Sequence, residues 1–470
     1  MNTEKPLNLS VNDDKELDKK IEEAWLLFKL KEYKSAGKIV FPLLEKYPAN
    51  KQLIEIGVSP FIQENNTGQI DLMLARINNV DFPDKKKITR ELRLASSLNR
   101  CDYKESANIY SSLIKDYPEK IEYKRGYAET LLKLKLWPMA KKAYKDIYSI
   151  KDVKDKFLKQ DYHRAVEEGS NGLITDFLYT HAPESLREYI VKHGVLVWLN
   201  KRLRCTFTTI MEFYSKRALG NSSKVEEIIP GHNVTVDYFF NEIFDFSIGW
   251  KTYYFNENSY HTPYAGVQAD IENFHSKTSF SYDELVRNPI EGINKEARMD
   301  NFSSENEILF FDRLTFGYLF ESSFYRVNSE KNDINGEGYL GYKIKNMPFT
   351  SLAVWQDPYV SLNFSYLDAH WDKSFVRANE VLDFLEDEKI FSGGIYIEKA
   401  FTHFFSCRAT FARMYDWRRD FYSTLTGAGT SFWFRDYLKL DVDYEYLLNA
   451  QGTLGTGDVQ TIRGKLKILF

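Results

Sequence analysis

Ile462-Arg463-Gly464-Lys465-Leu466-Lys467-Ile468-Leu469-Phe470 ends the chain, and its reading decides the fold. Apolar and polar residues alternate with a period of two, the side-chain period of a β-strand. Ile462, Leu466, Ile468 and Phe470 share one face with Gly464 in register, while Arg463, Lys465 and Lys467 share the other. Only Leu469 breaks the alternation. Such a strand suits a wall with an apolar medium on one side and water on the other. An edge strand of a soluble sandwich can show the same pattern once, so the argument rests on repetition.

The pattern does repeat. Leu438, Leu440, Val442, Tyr444 and Tyr446 alternate with Lys439, Asp441, Asp443 and Glu445, and Val360, Leu362, Phe364 and Tyr366 alternate with Ser361, Asn363 and Ser365. Phe244, Phe246, Ile248 and Trp250 alternate with Asp245, Ser247 and Gly249, and Val234, Val236, Tyr238 and Phe240 do the same one segment earlier. About fifteen such segments can be placed, and bacterial barrels use even numbers, so the expectation is an antiparallel transmembrane β-barrel of 14 or 16 strands. Trp198, Tyr253, Tyr254, Trp417 and Trp433 fall near strand ends, where interfacial aromatic girdles form. Two stretches depart from the meander. Residues 288–313, with Ile293, Ala297 and Met299 near helical spacing, read as an irregular or partly helical insertion. Residues 378–389, rich in Asp and Glu, read as an exposed acidic loop that lines nothing, and Asn335-Gly336 as a tight hairpin turn.

Composition agrees with a barrel and excludes other classes. At 470 residues the chain is too long for one compact core. It carries 31 Tyr and 34 Phe, yet its mean hydropathy is −0.45 and it has no apolar run of the length a membrane helix needs. Strands of a barrel escape that test because their two faces average out. Cys101, Cys205 and Cys407 are widely spaced and odd in number, which supports neither a disulfide framework nor a metal site. The N-terminus, Met1-Asn2-Thr3-Glu4-Lys5, lacks the basic and apolar regions of a secretory signal, so the barrel reading expects a signal that was trimmed or a misassigned start.

Charge divides the chain. Residues 1–165 carry 32 Lys and Arg against 25 Asp and Glu, and residues 166–470 carry 31 against 42. The basic part repeats with a period near 34, the length of a tetratricopeptide helix pair. A copy from Leu17 reads Ala24, Leu27, Tyr33, Ala36, Leu43 and Pro48; a copy from Ile121 has Ala128, Leu131, Trp137, Ala140 and Tyr144. The copy from Lys87 keeps Tyr103, Tyr110, Leu113 and Pro118, with Ser106 at the small position, and a degenerate copy fills residues 51–83. Small residues let paired helices approach, aromatics fill the gap to the next pair, and proline ends the second helix. After a last helix near 151–167, Gly169-Ser170-Asn171-Gly172 breaks the helical pattern. The expected organisation is therefore α+β and multidomain: a disordered segment 1–16, tetratricopeptide-like repeats 17–168 and a barrel 169–470.

Chemistry-bearing motifs are absent from the sequence. There is no nucleophile elbow, zinc-binding helix, phosphate loop or dinucleotide fingerprint, and the eight histidines include no pair at ligand spacing. Asp333-Ile334-Asn335-Gly336 fails as a calcium loop because Lys331 and Tyr342 occupy its first and last ligand positions. The expectation is no enzyme, no cofactor, no metal and no nucleic-acid partner. The candidate site is instead a pore wall of Asp237, Asp245, Asp441, Asp443, Glu445, Arg463, Lys465 and Lys467, together with groove positions Trp25, Glu91, Arg125 and Glu129 for a partner of the repeats.

Tetratricopeptide repeats at the positions named, followed by a barrel whose last strand ends on Phe470, resemble the outer-membrane exporters of bacterial exopolysaccharides, the Pel, poly-N-acetylglucosamine and cellulose export porins. The likeness is one of layout over the whole chain. It implies repeats in the periplasm that engage polysaccharide synthesis or modification proteins, and a barrel in outer-membrane lipid that passes the polysaccharide chain. It also implies a terminal aromatic read by the barrel-assembly machinery. With about four repeats the chain is shorter than such exporters, and engagement of several partners is in question. The acidic balance of the C-terminal part would favour a neutral or cationic polymer, against which Arg463, Lys465 and Lys467 stand. Surface-lipoprotein translocators have the same layout, and a repeat scaffold with a soluble β-domain and no pore is the alternative of another class.

Overall fold

The computed structural model describes residues 11–30, 32–47, 50, 52–54, 56–57, 67–78, 81, 84–149, 156–183, 186–217, 224–286, 296–327, 339–372, 387–450 and 457–470. Two compact units are present, Met1–Leu134 and Lys135–Phe470.

The first unit is helical: α1 (Val11–Lys29), α2 (Tyr33–Lys46), α3 (Thr67–Asn78), α4 (Lys85–Asn99), α5 (Tyr103–Asp116) and α6 (Ile121–Lys133). Ala24 and Ala36 are fully buried, and the core around Ala24 includes Ile21, Val40, Leu53, Ile70 and Leu92. Ser106 is also fully buried, where its hydroxyl meets Ser97 at 2.8 Å and donates to the Asp102 carbonyl at 2.8 Å. A polar atom is tolerated there because both of its bonds are made inside the helix pair. Asp102 caps α5 by accepting from the Glu105 amide at 3.0 Å.

The second unit begins with two helices, α7 (Trp137–Tyr148) and α8 (Lys156–Gly169), which pack on each other. Gly169 is required at the crossing, since a Cβ there would overlap the Trp137 carbonyl. The chain then forms sixteen antiparallel strands that close into a barrel with β1 (Gly172–Ala182) hydrogen-bonded to β16 (Gly457–Leu469). In order between them lie β2 (Leu186–Trp198), β3 (Leu203–Arg217), β4 (Lys224–Phe239), β5 (Phe244–Phe255), β6 (Asn258–Ile271), β7 (Phe274–Leu285) and β8 (Arg298–Phe310). They continue as β9 (Leu314–Arg326), β10 (Tyr339–Gln356), β11 (Tyr359–Trp371), β12 (Glu388–Thr402), β13 (Phe405–Asp416), β14 (Phe421–Phe434) and β15 (Leu438–Ala450). Every strand pairs with its neighbours in sequence, so the meander closes on itself and leaves no free edge.

Alternation sets which face is wet. Phe246, Ile248, Trp250, Phe316, Phe364, Phe411 and Tyr444 point outward and stay exposed, with Ile248 at 61%. Their neighbours in sequence point inward and bond one another, as Ser279 with Ser303 at 2.7 Å and Ser365 with Ser392 at 2.7 Å. A closed barrel with an apolar exterior and a hydrogen-bonded polar interior satisfies all its backbone groups without water outside, which is the condition for spanning lipid.

Several expectations are corrected. The stretch read as an insertion contains β8, and within it residues 296–313 are described. Between Ser303 and Glu307 both faces of this strand are polar, which erases the period of two; pairing with β7 and β9 imposes the strand instead. Within the acidic stretch, 378–386 lie outside the described residues, but Asp387 accepts the Trp371 amide at 2.6 Å and pairs with Arg418 at 2.8 Å. Glu388 opens β12 and meets Lys343 at 3.0 Å. Neither is loose decoration of a loop. Tyr253 is 1% exposed in an inward cluster with Ile210, Tyr214, Ile229 and Tyr260, and Trp198 and Trp433 also face inward; Tyr254 and Trp417 alone of the five aromatics are exposed outside. The Asn335-Gly336 turn lies outside the described residues.

Candidate functional site: the lumen and its short-turn end

One end of the barrel carries short connections, 198–203, 239–244, 271–274, 310–314, 356–359, 402–405 and 434–438, and both the entry into β1 and the end of β16 lie there. Longer connections lie at the other end, including 285–298, 326–339 and 371–388.

The interior wall over β12–β16, β1 and β2 lines an open pocket of about 600 Å³. Its charged lining is Asp176, Lys192, Glu398, Arg408, Lys439, Asp441, Asp443, Arg463 and Lys465. Register explains the arrangement. Ser431 lies opposite Asp441, Asp441 opposite Lys465, Lys465 opposite Asp176, and Asp176 opposite Lys192, so one row of five neighbouring strands carries a hydroxyl followed by four charges that alternate in sign. Lys465 sits 3.7 Å from Asp176 and Lys439 sits 3.4 Å from Asp441. In the next row Arg408 reaches over β14 to Asp443, with Nε donating to Oδ1 at 2.6 Å and Nη2 to Oδ2 at 2.5 Å. That two-pronged pair needs Gly429 beneath it, because a Cβ there would overlap both Asp443 Oδ1 and Arg408 Nε. Arg463 meets Glu445 at 3.4 Å.

The eight expected wall residues thus fall into three places. Asp441, Asp443, Glu445, Arg463 and Lys465 share the wall just described. Asp237, on β4, pairs with Arg204 at 3.0 Å. Asp245 and Lys467 lie at the short-turn end, where Lys135 of the α6–α7 turn and Glu167 of α8 occupy them. The pocket is balanced although the C-terminal part is acidic overall: four carboxylates face five cationic groups there. Of the groove positions, Arg125 and Glu129 pair with each other at 2.8 Å along α6 and Glu91 accepts from the Tyr123 hydroxyl. Trp25 packs edge-on to Phe28 beside the core around Ala24.

The short-turn end is crossed by α7 and α8. Lys135, held in the left-handed region at φ 54°, puts its ammonium 2.7 Å from Asp245 and 2.6 Å from Asp270, on β5 and β6. Glu167 of α8 meets Lys467 at 2.5 Å and Lys439 at 3.0 Å, on β16 and β15. Burial raises the Glu167 pKa, but the two ammonium groups of Lys467 and Lys439 lower it by more, so the carboxyl is held below its ordinary value. Glu168 pairs with Arg204 at 3.2 Å, and its carbonyl accepts the Trp198 indole N–H at 2.9 Å. His163 stacks on Trp433 with ring centroids 4.5 Å apart and lies 3.4 Å from Asp436; burial pushes its pKa down, against the pull of that carboxylate. None of Lys135, His163, Glu167, Glu168, Arg204 or Arg408 was singled out from sequence. One signal was available: α8 carries two acids and no base in its last turn, the wrong sign for a helix C-terminus unless cations elsewhere compensate.

Fold and lumen together define a transmembrane β-barrel of the outer-membrane kind, with a charged and hydrogen-bonded interior. No protein-family model matches the sequence, and no curated protein matches it. Among solved structures, the chain is similar to one described as a bacterial polysaccharide outer membrane secretin, at 9% identity and TM-score 0.48, covering 64% of this chain and 98% of that one. It is also similar to OccAB3 of Acinetobacter baumannii at 8% identity and TM-score 0.34, with 64% and 98% covered, and to OccK9 (OpdG) of Pseudomonas aeruginosa at 11% identity and TM-score 0.32, with the same coverage. At these identities no residue role carries across.

Proposed function

We propose that this chain is an outer-membrane pore that exports an exopolysaccharide, with its short-turn end and helical repeats in the periplasm, where the repeats dock polysaccharide synthesis or modification proteins. Transport, and not catalysis, is the role. The observation that carries this reading is the wall of alternating charge on β15, β16, β1 and β2. It offers donors and acceptors to sugar hydroxyls at the strand spacing of about 4.8 Å, without a net field that would trap a charged polymer. A conducting path must bind weakly and at many sites, and paired charges do this. Of the neutral and cationic polymers that the acidic balance favoured, a neutral chain, or a zwitterionic one, suits a wall of four carboxylates and five cations better. Sixteen strands are enough for an aqueous channel.

The test is planar-bilayer recording of the purified full chain with oligosaccharides of defined charge added to one side. Transient block by neutral or zwitterionic oligomers, weaker for polyanions and polycations, is expected. Conductance without any sugar block, but with block by an unfolded lipoprotein, would transfer the cargo to the lipoprotein reading. No conductance from heat-modifiable, folded protein, whether α7–α8 are docked or released by substitution, would refute the pore.

A further inference from the structure

We propose that the helix pair α7–α8 is a plug that closes the short-turn end of the lumen, pinned there by the Lys135 charge clamp on one side and by the His163 ring stack and the Glu167 clamp on the far side. The proposal rests on the pore reading above.

The geometry is diametric. Lys135 is fixed to β5 and β6, whereas His163 stacks on Trp433 of β14 and lies 6.2 Å, ring to ring, from His403 in the β12–β13 turn. In a ring of sixteen strands these places are half a circumference apart. Between them Glu167 holds β15 and β16, and Glu168 holds β3 through Arg204, which passes the contact to Asp237 on β4. Sixteen strands about 4.8 Å apart and tilted by about 40° close a ring roughly 30 Å across, of which inward side chains leave roughly 20 Å. Two helices side by side, each about 10 Å wide, fill that width.

The clamp is chemically one-sided, which marks it as a docking device and not chance contact. The acids at the C-terminus of α8 oppose the helix dipole and, among the described residues, pair with Lys439, Lys467 and Arg204 of the barrel. Lys135, Glu167, Lys439 and Lys467 are each less than a fifth exposed, so the pairs are shielded from salt. Undocking breaks all of these pairs together, and the lumen then opens at that end. Cargo or a partner that moves the helices must replace those charges.

The test is a full-length Lys135→Gln/Glu167→Gln/Glu168→Gln variant beside wild type, in bilayer recording and in trypsin cleavage at Lys141, Lys142, Lys145 and Lys159 of the folded protein. Heat-modifiable mobility confirms an intact barrel, and a Glu16→Gln/Lys20→Gln variant, which removes an exposed pair, serves as a charge control in the other unit. Loss of several buried pairs should raise both cleavage and open probability by at least about tenfold, with the control unchanged. Helices that are cleaved faster while a measurable conductance stays constant would overturn the plug and leave the pore standing. Helices whose cleavage is unchanged would overturn the clamp. A silent membrane for every folded variant would overturn the pore reading and the plug with it.

Discussion

Replacing Lys135 with glutamine should loosen the helix pair more than any other single substitution in it. The ammonium lies 2.7 Å from Asp245 and 2.6 Å from Asp270, and its side chain is 11% exposed. Removing one partner from a buried charge cluster costs about 3–5 kcal/mol because the remaining charges are left uncompensated. Asp270 is about a third exposed and also meets His275, so water and that ring take up part of the loss. A cost of about 3 kcal/mol follows, which corresponds to roughly a hundredfold increase in the undocked population. Hydrogen exchange of the full chain reads this directly: amides of α7 should exchange roughly a hundredfold faster, while β9–β13 stay as in wild type. Lys135→Arg keeps the charge and offers a fork to two carboxylates, so it should stay within about threefold of wild type. Unchanged α7 exchange in Lys135→Gln would refute the reasoning, and so would an equal rise across β5 and β6, since the lysine would then be holding the barrel and not the helices.

Three further outcomes follow from the same geometry. Ile248→Arg places a cation on the outward face near the middle of β5, which should cost about 2–4 kcal/mol and lower the temperature at which the folded gel band is lost, while Ser247→Arg, facing inward, should not; equal effects would contradict the assignment of faces. Gly429→Ala forces the Arg408–Asp443 pair apart; its loss and the gain from removing a strand glycine, each about 1 kcal/mol or less, should nearly cancel in urea unfolding, so the change should show in ion selectivity alone. Glu167, facing Lys439 and Lys467 with Asp441 beyond Lys439, has its pKa lowered on docking. A depressed carboxyl pKa means that its contribution is fully present above the ordinary value near about 4.3 and is lost as pH falls through the docked value. Trypsin-independent readout of α8 by hydrogen exchange, corrected for intrinsic rates, should therefore be flat from neutral pH to about 5 and rise below about 4; a rise between 6 and 8 instead would point to another group.

Much of the fold is legible because a barrel strand writes both of its environments into one segment. The runs 438–446 and 244–250 carry apolar and polar residues in strict turn, and the structure places them in β15 and β5 with the apolar set outside. β8 escaped because its inward and outward faces are both polar from Ser303 to Glu307, so no moment exists to read. The row Ser431, Asp441, Lys465, Asp176, Lys192 was half visible. Asp441 and Lys465 stand out in their own strands, but Asp176 and Lys192 become part of the row only when β16 closes onto β1.

Sequence alone determined the helical part, the period-two part, the outward apolar face and the closing strand at Phe470, because each depends on residues close together along the chain. Strand number, the balanced charge of the wall and the course of α7–α8 across the short-turn end were decided by tertiary structure. Register brings together residues hundreds of positions apart, such as Glu167 with Lys439 and Lys467, and net charge summed over a segment cannot say which charges will neutralise one another.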